Sequence, residues 1–285
     1  MSSVEAIRDY YNHFQSRLLR DYVYGNIRID RAIEFVSSLI GPNTERILDV
    51  GCGIGASADG YTLRSDSARV VGVDISAENV QTAKKLFASD RVTFAESDVS
   101  SPPAGGPFDL VAMIDVYEHI PPKARQQFHQ AIASAMADES LLVLTTPSPS
   151  HQRWLAEHEP EGLQIVDEII DEDQVLQFAE SVGGKLIQHR SVDMWTPGQY
   201  CYTVIARGDE SVKWAETSLR STSGKYGPRL IPLATYRRIE SFYQRLWDSK
   251  EVIARRQRIK NILGVEVLRS EQTNDMSVGQ PKKAC

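Results

Sequence analysis

The sequence is short of cysteine, of long apolar runs and of any strong excess of one charge, and each shortage closes off a class of protein. Only three cysteines, Cys52, Cys201 and Cys285, occur in 285 residues. They are too few and too dispersed for a disulfide framework, and no Cys-x-x-Cys or Cys/His pattern offers a zinc site, so no metal is expected. The opening residues, MSSVEAIRDYYNHF, lack an apolar run behind basic residues. No window approaches the ~18 uninterrupted apolar residues of a spanning helix. The expectation is a cytoplasmic protein with no membrane span. A net charge of −6 argues against a surface devoted to polyanions, so nucleic acid is not the default partner. What the chain does have is 41% hydrophobic and 25% charged residues. That composition is globular, and the length suffices for one large domain or a domain with appendages.

From Val4 to about Ile40 apolar residues recur at helical spacing, which predicts two leading helices with Gly41-Pro42 as a stop. The rhythm then changes to short β-rich runs at Arg46–Val50, Arg69–Val73, Val92–Phe94, Phe108–Ile114 and Leu141–Thr146. Helix-length segments lie between them. Such alternation means βαβ units and a parallel sheet covered on both faces. Two last runs, Lys185–Val192 and Tyr200–Ala206, are joined only by Asp193–Gln199 and should pair as an antiparallel hairpin. The expected fold is α/β: a Rossmann-like doubly wound sheet of mostly parallel strands with a terminal antiparallel hairpin, N-terminal cap helices and a C-terminal helical extension. The divisions read from composition are cap helices at 1–42, a core domain at 43–207, a linker or long loop at 208–232, a basic helical extension at 233–269 and a disordered tail at 270–285.

The first strand runs into Leu48-Asp49-Val50-Gly51-Cys52-Gly53-Ile54-Gly55-Ala56, a glycine-rich turn in which backbone can approach a ligand closely. Read as Gly-x-Gly-x-x-Gly/Ala it also matches a dinucleotide fingerprint. Asp74, followed by Ile75, then ends the second strand, where it can accept from ribose hydroxyls. Both readings put a nucleoside at the switch point of the sheet. Asp49 separates them, because a carboxylate there would repel a pyrophosphate and suit a ligand bearing an ammonium. Asp98, after the third strand, can accept from an exocyclic adenine amine while the Val99 N–H faces a ring nitrogen. The fourth strand delivers Asp115, Tyr117, Glu118 and His119 to the same edge. Each acid also has a structural reading: Asp74 as a helix cap, Asp98 as an Asx turn, Glu118 as a helix-start acid. Asp109, early in its strand, is read as structural.

In order and spacing these four segments resemble the successive motifs of class I S-adenosylmethionine-dependent methyltransferases, and the hairpin is similar to that fold's antiparallel ending. The resemblance covers Arg46 to Pro122, and the strand pattern extends it to Arg207. It implies S-adenosyl-L-methionine as cofactor, with Gly51, Gly53 and Gly55 beneath its methionine part and Asp49 in the same motif. It places Asp74 with Ile75 at the ribose, Asp98 with Val99 at the adenine, and Asp115 at the methionyl ammonium. Tyr11 or Arg28, from helices that act as lids in the family, would meet the cofactor carboxylate, Arg28 by bidentate hydrogen bonding.

Methyl transfer from a sulfonium is an in-line displacement, which asks the protein for orientation and, with a neutral acceptor, for a base. His119 is the first candidate for the base, followed by His151 and His158; His151 and Trp154 would come from a loop over the cleft. The acids from Pro160 to Asp173 are read as helix-capping, with Asp171 at the N-cap, and not as a metal site. Leu163-Gln164-Ile165-Val166-Asp167-Glu168, with Met194-Trp195 and Gln199-Tyr200, is similar to methyltransferases acting on sugars or glycan precursors. Trp195 and Tyr200 would stack on a sugar face or pack at the hairpin turn. The expected activity is transfer of a methyl group to a hydroxyl of a sugar or other small hydroxylated metabolite. N- or C-methylation, an RNA or protein substrate, a nicotinamide oxidoreductase and a non-catalytic adaptor remain open. The adaptor would use the basic C-terminal stretch, where Lys225–Arg269 carries eleven Lys or Arg against four acids. The remaining chain is thus at −13, and the basic helix is expected to pack on the domain or on a second copy.

Overall fold

The computed structural model describes residues 4–222 and 250–268. Seven strands make one sheet: β1 (Arg46–Val50), β2 (Arg69–Asp74), β3 (Val92–Glu96), β4 (Phe108–Ile114), β5 (Met136–Pro147), β6 (Lys185–Val192) and β7 (Tyr200–Arg207). Their order is β3-β2-β1-β4-β5-β7-β6. The first five are parallel, while β7 pairs antiparallel with both β5 and β6. The expected doubly wound sheet with a terminal hairpin is therefore present, and the order reverses between β1 and β4, which creates the switch point.

The strands are apolar throughout because both faces are covered. Ile47, Val70, Leu110, Val143 and Tyr202 point to one side, with Phe35, Tyr61 and Leu86 from the helices there. Leu48, Val73, Val111, Leu142 and Ile205 point to the other, against Phe128, Ile132 and Phe178. The covering helices are α1 (Val4–Asn12), α2 (Gln15–Tyr24), α3 (Ile27–Ser38), α4 (Ala56–Thr62), α5 (Ala77–Phe87), α6 (Pro122–Ala135), α7 (Pro149–His158), α8 (Glu172–Ser181), α9 (Asp209–Thr222) and α10 (Lys250–Leu263). Asp171 caps α8 in a reciprocal box with Gln174, as its sequence signature indicates. Asp109 accepts from the backbone N–H groups of Glu45 and Arg46, a structural role at the far end of β1.

Four differences from the sequence expectations have local causes. The segment of His151 and Trp154, read as a loop over the cleft, is the helix α7, whose start Ser148 caps by accepting from the His151 N–H. The leading segment holds three helices, since Gly25 ends α2 at φ +82° and the Asn26 side chain caps α3 through the Arg28 N–H. β5 begins at Met136, opposite Phe108, ahead of the run read from Leu141. Asp209–Thr222, read as linker from its polarity, is the helix α9. Its start is held from outside: Glu139 on β5 accepts from the Ser211 N–H at 2.8 Å, while Trp214 Nε1 donates to the Leu39 carbonyl. Residues 223–249 and 269–285 contain the rest of the linker, the first part of the basic stretch and the tail, and they lie outside the described residues.

The last part of the basic stretch is α10, which packs on α2 and α5. Arg255 donates to the Tyr22 carbonyl and lies over the Tyr22 ring. Arg258 does the same with the Leu86 carbonyl and the Phe87 ring. Among the described residues no helix is long and apolar enough to cross a membrane.

Candidate active site

A cavity of about 890 Å³ opens at the carboxyl ends of β1 to β4, within the range of small-molecule and cofactor sites. Its wall contains Tyr11, Arg28, Asp49, Gly51, Gly53, Asp74 and Ile75. Asp98, Val99, Asp115 and His119 complete the predicted set found there. Gly55 and His151 are not part of the wall.

The glycine turn is held on the second strand. Gly51 and Cys52 donate to the Val73 carbonyl at 2.8 and 3.0 Å. Gly51 has φ +68°, and a Cβ there would stand 2.4 Å from Val116 Cγ2, so only glycine fits. Asp74 ties this turn to α5: one oxygen accepts from the Gly53 N–H at 2.9 Å and the other from the Ser76 N–H at 2.8 Å. It also accepts from Asn79 Nδ2 at 3.5 Å, which makes it a scaffold acid as well as a wall acid, and the oxygen that meets Gly53 keeps a lone pair for a further donor. Burial pushes its carboxyl up.

Asp49 is 2% exposed and accepts from Ser57 Oγ at 2.5 Å. Burial raises its pKa to about 7, against the lowering effect of that bond, with Asp74 adding to the rise. Removing an anion from water without a full counter-charge is costly, so a cation brought near Asp49 would favour its ionised form.

Two non-glycine residues in the wall take left-handed backbone, Val99 at φ +54° and Asp115 at φ +53°. Such strain concentrates where the chain is shaped for a ligand. Asp98 accepts from the Ser100 N–H, and the Ser100 side chain is the main cause of its lowered pKa. The Val99 N–H donates to Ser97 Oγ at 3.0 Å, so it meets a ring nitrogen only by sharing or exchanging that bond. Asp115 accepts from Thr145 Oγ1 at 2.9 Å and forms an ion pair with Arg28. Arg28, in the first turn of α3, also lies over the Tyr200 ring. The N-terminal helices thus bring a cation against the acid at the end of β4.

His119 closes the wall from the one-turn helix Tyr117–His119. Its Nδ1 lies 2.7 Å from the Val166 carbonyl, which can only accept, so Nδ1 carries the proton and Nε2 the lone pair. Burial pushes its pKa down, favouring the neutral base. Tyr11 packs beside the ring at 6.1 Å between centroids, and its hydroxyl donates to Gln164 Oε1. His151 is differently placed. It lies in the first turn of α7, its Nε2 is 3.0 Å from Gln199 Nε2, and its ring stacks on Trp154. His158 also stacks on Trp154 from the end of α7, outside the cavity wall. Among the described residues no group of three or more His, Cys, Asp and Glu is arranged to hold a metal ion.

Several wall residues escaped the sequence reading. Ser57 had a signal, a small hydroxyl in the first turn after the glycines. Leu18, Tyr22, Glu251, Ala254, Arg255 and Arg258, from α2 and α10, had none, because they reach the cavity only through the packing of chain ends.

Residues 47–139 match a family model described as a methyltransferase domain. A ubiquinone biosynthesis O-methyltransferase of Vibrio cholerae serotype O1 is 29% identical over 99 residues, which is 33% of this chain and 38% of the relative. The Escherichia coli O9:H4 protein of the same name is 26% identical over 172 residues, 56% of this chain and 69% of its own. Among solved structures, the magnesium protoporphyrin IX methyltransferase of Synechocystis PCC 6803 with bound SAH aligns with a TM-score of 0.55 at 21% identity. It covers 72% of this chain and 99% of its own. The chain has the class I methyltransferase fold. The family match covers β1 to β4 and the first residues of β5, and part of the cavity wall. The chain spans little more than a third of the Vibrio relative, so the likeness extends to that segment and not to the whole relative.

Proposed function

We propose that this protein is an S-adenosylmethionine-dependent methyltransferase acting on a hydroxyl of a small molecule. The observation that carries the reading is that all four motif segments, separated by up to 66 positions between Asp49 and Asp115, line one cavity with a base-competent histidine. The residues fit the cofactor. A backbone cradle at Gly51 excludes a Cβ, Asp74 keeps acceptor capacity, and Arg28 and Asp115 offer opposite charges to an amino acid's carboxylate and ammonium. When bound, the cofactor supplies a methyl group on a positively charged sulfur for in-line displacement by the acceptor oxygen. The carboxyl groups of Asp49, buried, and Asp115, half-buried, suit that cationic ligand and oppose a pyrophosphate, which favours this reading over a nicotinamide enzyme.

His119, with its proton on Nδ1, would take the acceptor's proton at Nε2. Ile7, Tyr11 and Phe14 form the apolar wall beside it, which suits an acceptor with a planar or apolar body. The sugar reading leaned on Trp195 and Tyr200. Tyr200 is 7% exposed beneath Arg28, and Trp195 packs on the core, so support for sugar stacking is weak and the hydroxylated-metabolite branch is preferred. On α10, Arg255 and Arg258 are committed to Tyr22, Leu86 and Phe87, which weighs against an adaptor using these two cations.

Calorimetric titration with S-adenosylhomocysteine and, separately, with NAD tests the cofactor assignment. Binding of the first alone is expected; binding of NAD alone overturns the assignment. Transfer of labelled methyl groups to fractionated cell extract, followed by mass spectrometry, identifies the acceptor and the atom methylated.

A further inference from the structure

Glu118 is a buried titratable group that the reaction as described leaves unused. It is 1% exposed and stands behind the cavity wall, next to His119. Its Oε1 lies 3.8 Å from His119 Nε2, the nitrogen left with the lone pair, while Oε2 has no hydrogen-bond partner. A buried carboxylate oxygen without a donor is costly, and such an atom calls for a functional reason. Asp167 is the other acid near the ring, 3.9 Å from Nδ1. It is already occupied, accepting from Gln152 Nε2 and the Gln164 N–H, and it faces the nitrogen whose proton goes to Val166.

We propose that Glu118 is a positioning residue acting through His119, its carboxylate compensating the charge that Nε2 acquires on taking the acceptor's proton. The inference rests on the methyltransferase reading. In the step, the acceptor O–H bond breaks and its proton goes to Nε2. The oxygen pair forms the bond to the methyl carbon, and the carbon–sulfur pair leaves with sulfur. Positive charge passes from sulfonium to imidazolium, and the imidazolium proton then goes to water.

The groups around Glu118 set the sign of its pH dependence. Asp167 from the loop before α8 opposes ionisation and Arg28 from α3 favours it, while burial dominates and pushes the carboxyl up to about 8. Tyr11 of α1 and Tyr200 of β7 feel the same carboxylate, which raises both phenols further. In the resting protein the charge on Glu118 is thus present above about pH 8 and lost below it.

The test is a nitrogen NMR titration of His119 in the full chain, assigned with His119→Gln. The wild-type ring is expected to respond in two steps, the upper one with Glu118. Glu118→Gln should remove the upper step and leave the ring's own protonation in place, and Glu118→Asp should restore the upper step. A single step at the same pH in wild type and Glu118→Gln overturns the proposal. S-adenosylhomocysteine binding, measured on the same samples, is expected in all of them. Its absence from the wild type would overturn the methyltransferase reading, while the histidine titration would still decide whether the two groups form a pair. With the identified acceptor, Glu118→Gln should lower kcat about tenfold or more and abolish the rise in rate near pH 8, with KM for the cofactor unchanged. An unaltered pH profile counts against the proposal.

Discussion

The two halves of the sheet solve different problems. Along β5 and β7 the chain is regular: the two pair without interruption from Ser140–Arg207 to Pro147–Tyr200, and every residue of β7 except Arg207 is buried. At the carboxyl edge of β1 to β4 the chain departs from regularity at Gly51, Gly53, Gly55, Val99 and Asp115, all with positive φ. Here it buries Asp49, Asp74 and Glu118. The regular half gains stability from apolar contact and ladder pairing. The irregular half carries strained backbone and costly carboxylates, and that cost is offset only if a ligand uses them.

Substitutions can break this contrast from either side. In the regular half, Leu142→Ala removes a fully buried side chain from β5 and is expected to cost about 2–5 kcal/mol in denaturant unfolding. The affinity of the folded molecules for S-adenosylhomocysteine should stay the same. Weakened affinity without lost stability would mean that the halves are not separable. At the irregular edge, Arg28→Ala removes a charge-assisted contact worth roughly 1.5–3 kcal/mol, so calorimetry should find affinity reduced about tenfold to a hundredfold. Arg28→Lys should recover part of that loss, and unchanged binding would remove Arg28 from the cofactor site.

Two left-handed glycines sharpen the comparison. Gly51→Ala meets Val116 and should cost roughly 1–3 kcal/mol together with cofactor affinity. Gly198→Ala, at φ +63° beside the hairpin with no atom nearer than 3.9 Å, should cost only about 1 kcal/mol and leave binding intact. Equal effects at both positions would show that the left-handed turn itself, and not the close approach at the site, governs Gly51.

The smallest expected effect is a pH dependence of stability. Asp49, raised to about 7, and Glu118, raised to about 8, hold protons in the folded chain that the unfolded chain releases from their ordinary values of 3.8 and 4.5 upward. Stability contributed by these groups is therefore greatest below the unfolded values and falls as pH rises through the folded ones. Thermal midpoints of the ligand-free protein should be lower at about pH 8.5 than at about pH 5, and Asp49→Asn with Glu118→Gln should flatten the slope. A slope unchanged in the double variant would trace the dependence to other groups.

Much of the site was legible because a parallel sheet turns order in sequence into order in space. Asp74 and Asp115 end their strands or follow them directly, and that alone placed them at the ligand edge. His119 was the first candidate from the sequence and His151 the next. The difference between them lies in Val166, which fixes the tautomer of His119, and in Gln199, which engages the free nitrogen of His151. Both partners come from distant segments that no local pattern connects to these rings. The helix α9 was hidden for the same reason, since Glu139 lies some seventy residues from the turn it caps and Trp214 finds its acceptor at Leu39.

The scarcity of cysteine, the absence of long apolar runs and the periodicity of the strands determined, by themselves, the sheet and its ligand edge. Periodicity records which faces must be buried, and burial is a property each segment carries alone. Which histidine joins the cavity wall with its proton held on Nδ1, which acid stands behind it and where α10 rests were decided only by the tertiary structure. Hydrogen bonds and ion pairs depend on distances of a few ångströms between residues far apart in sequence, and those distances exist only once the chain has folded.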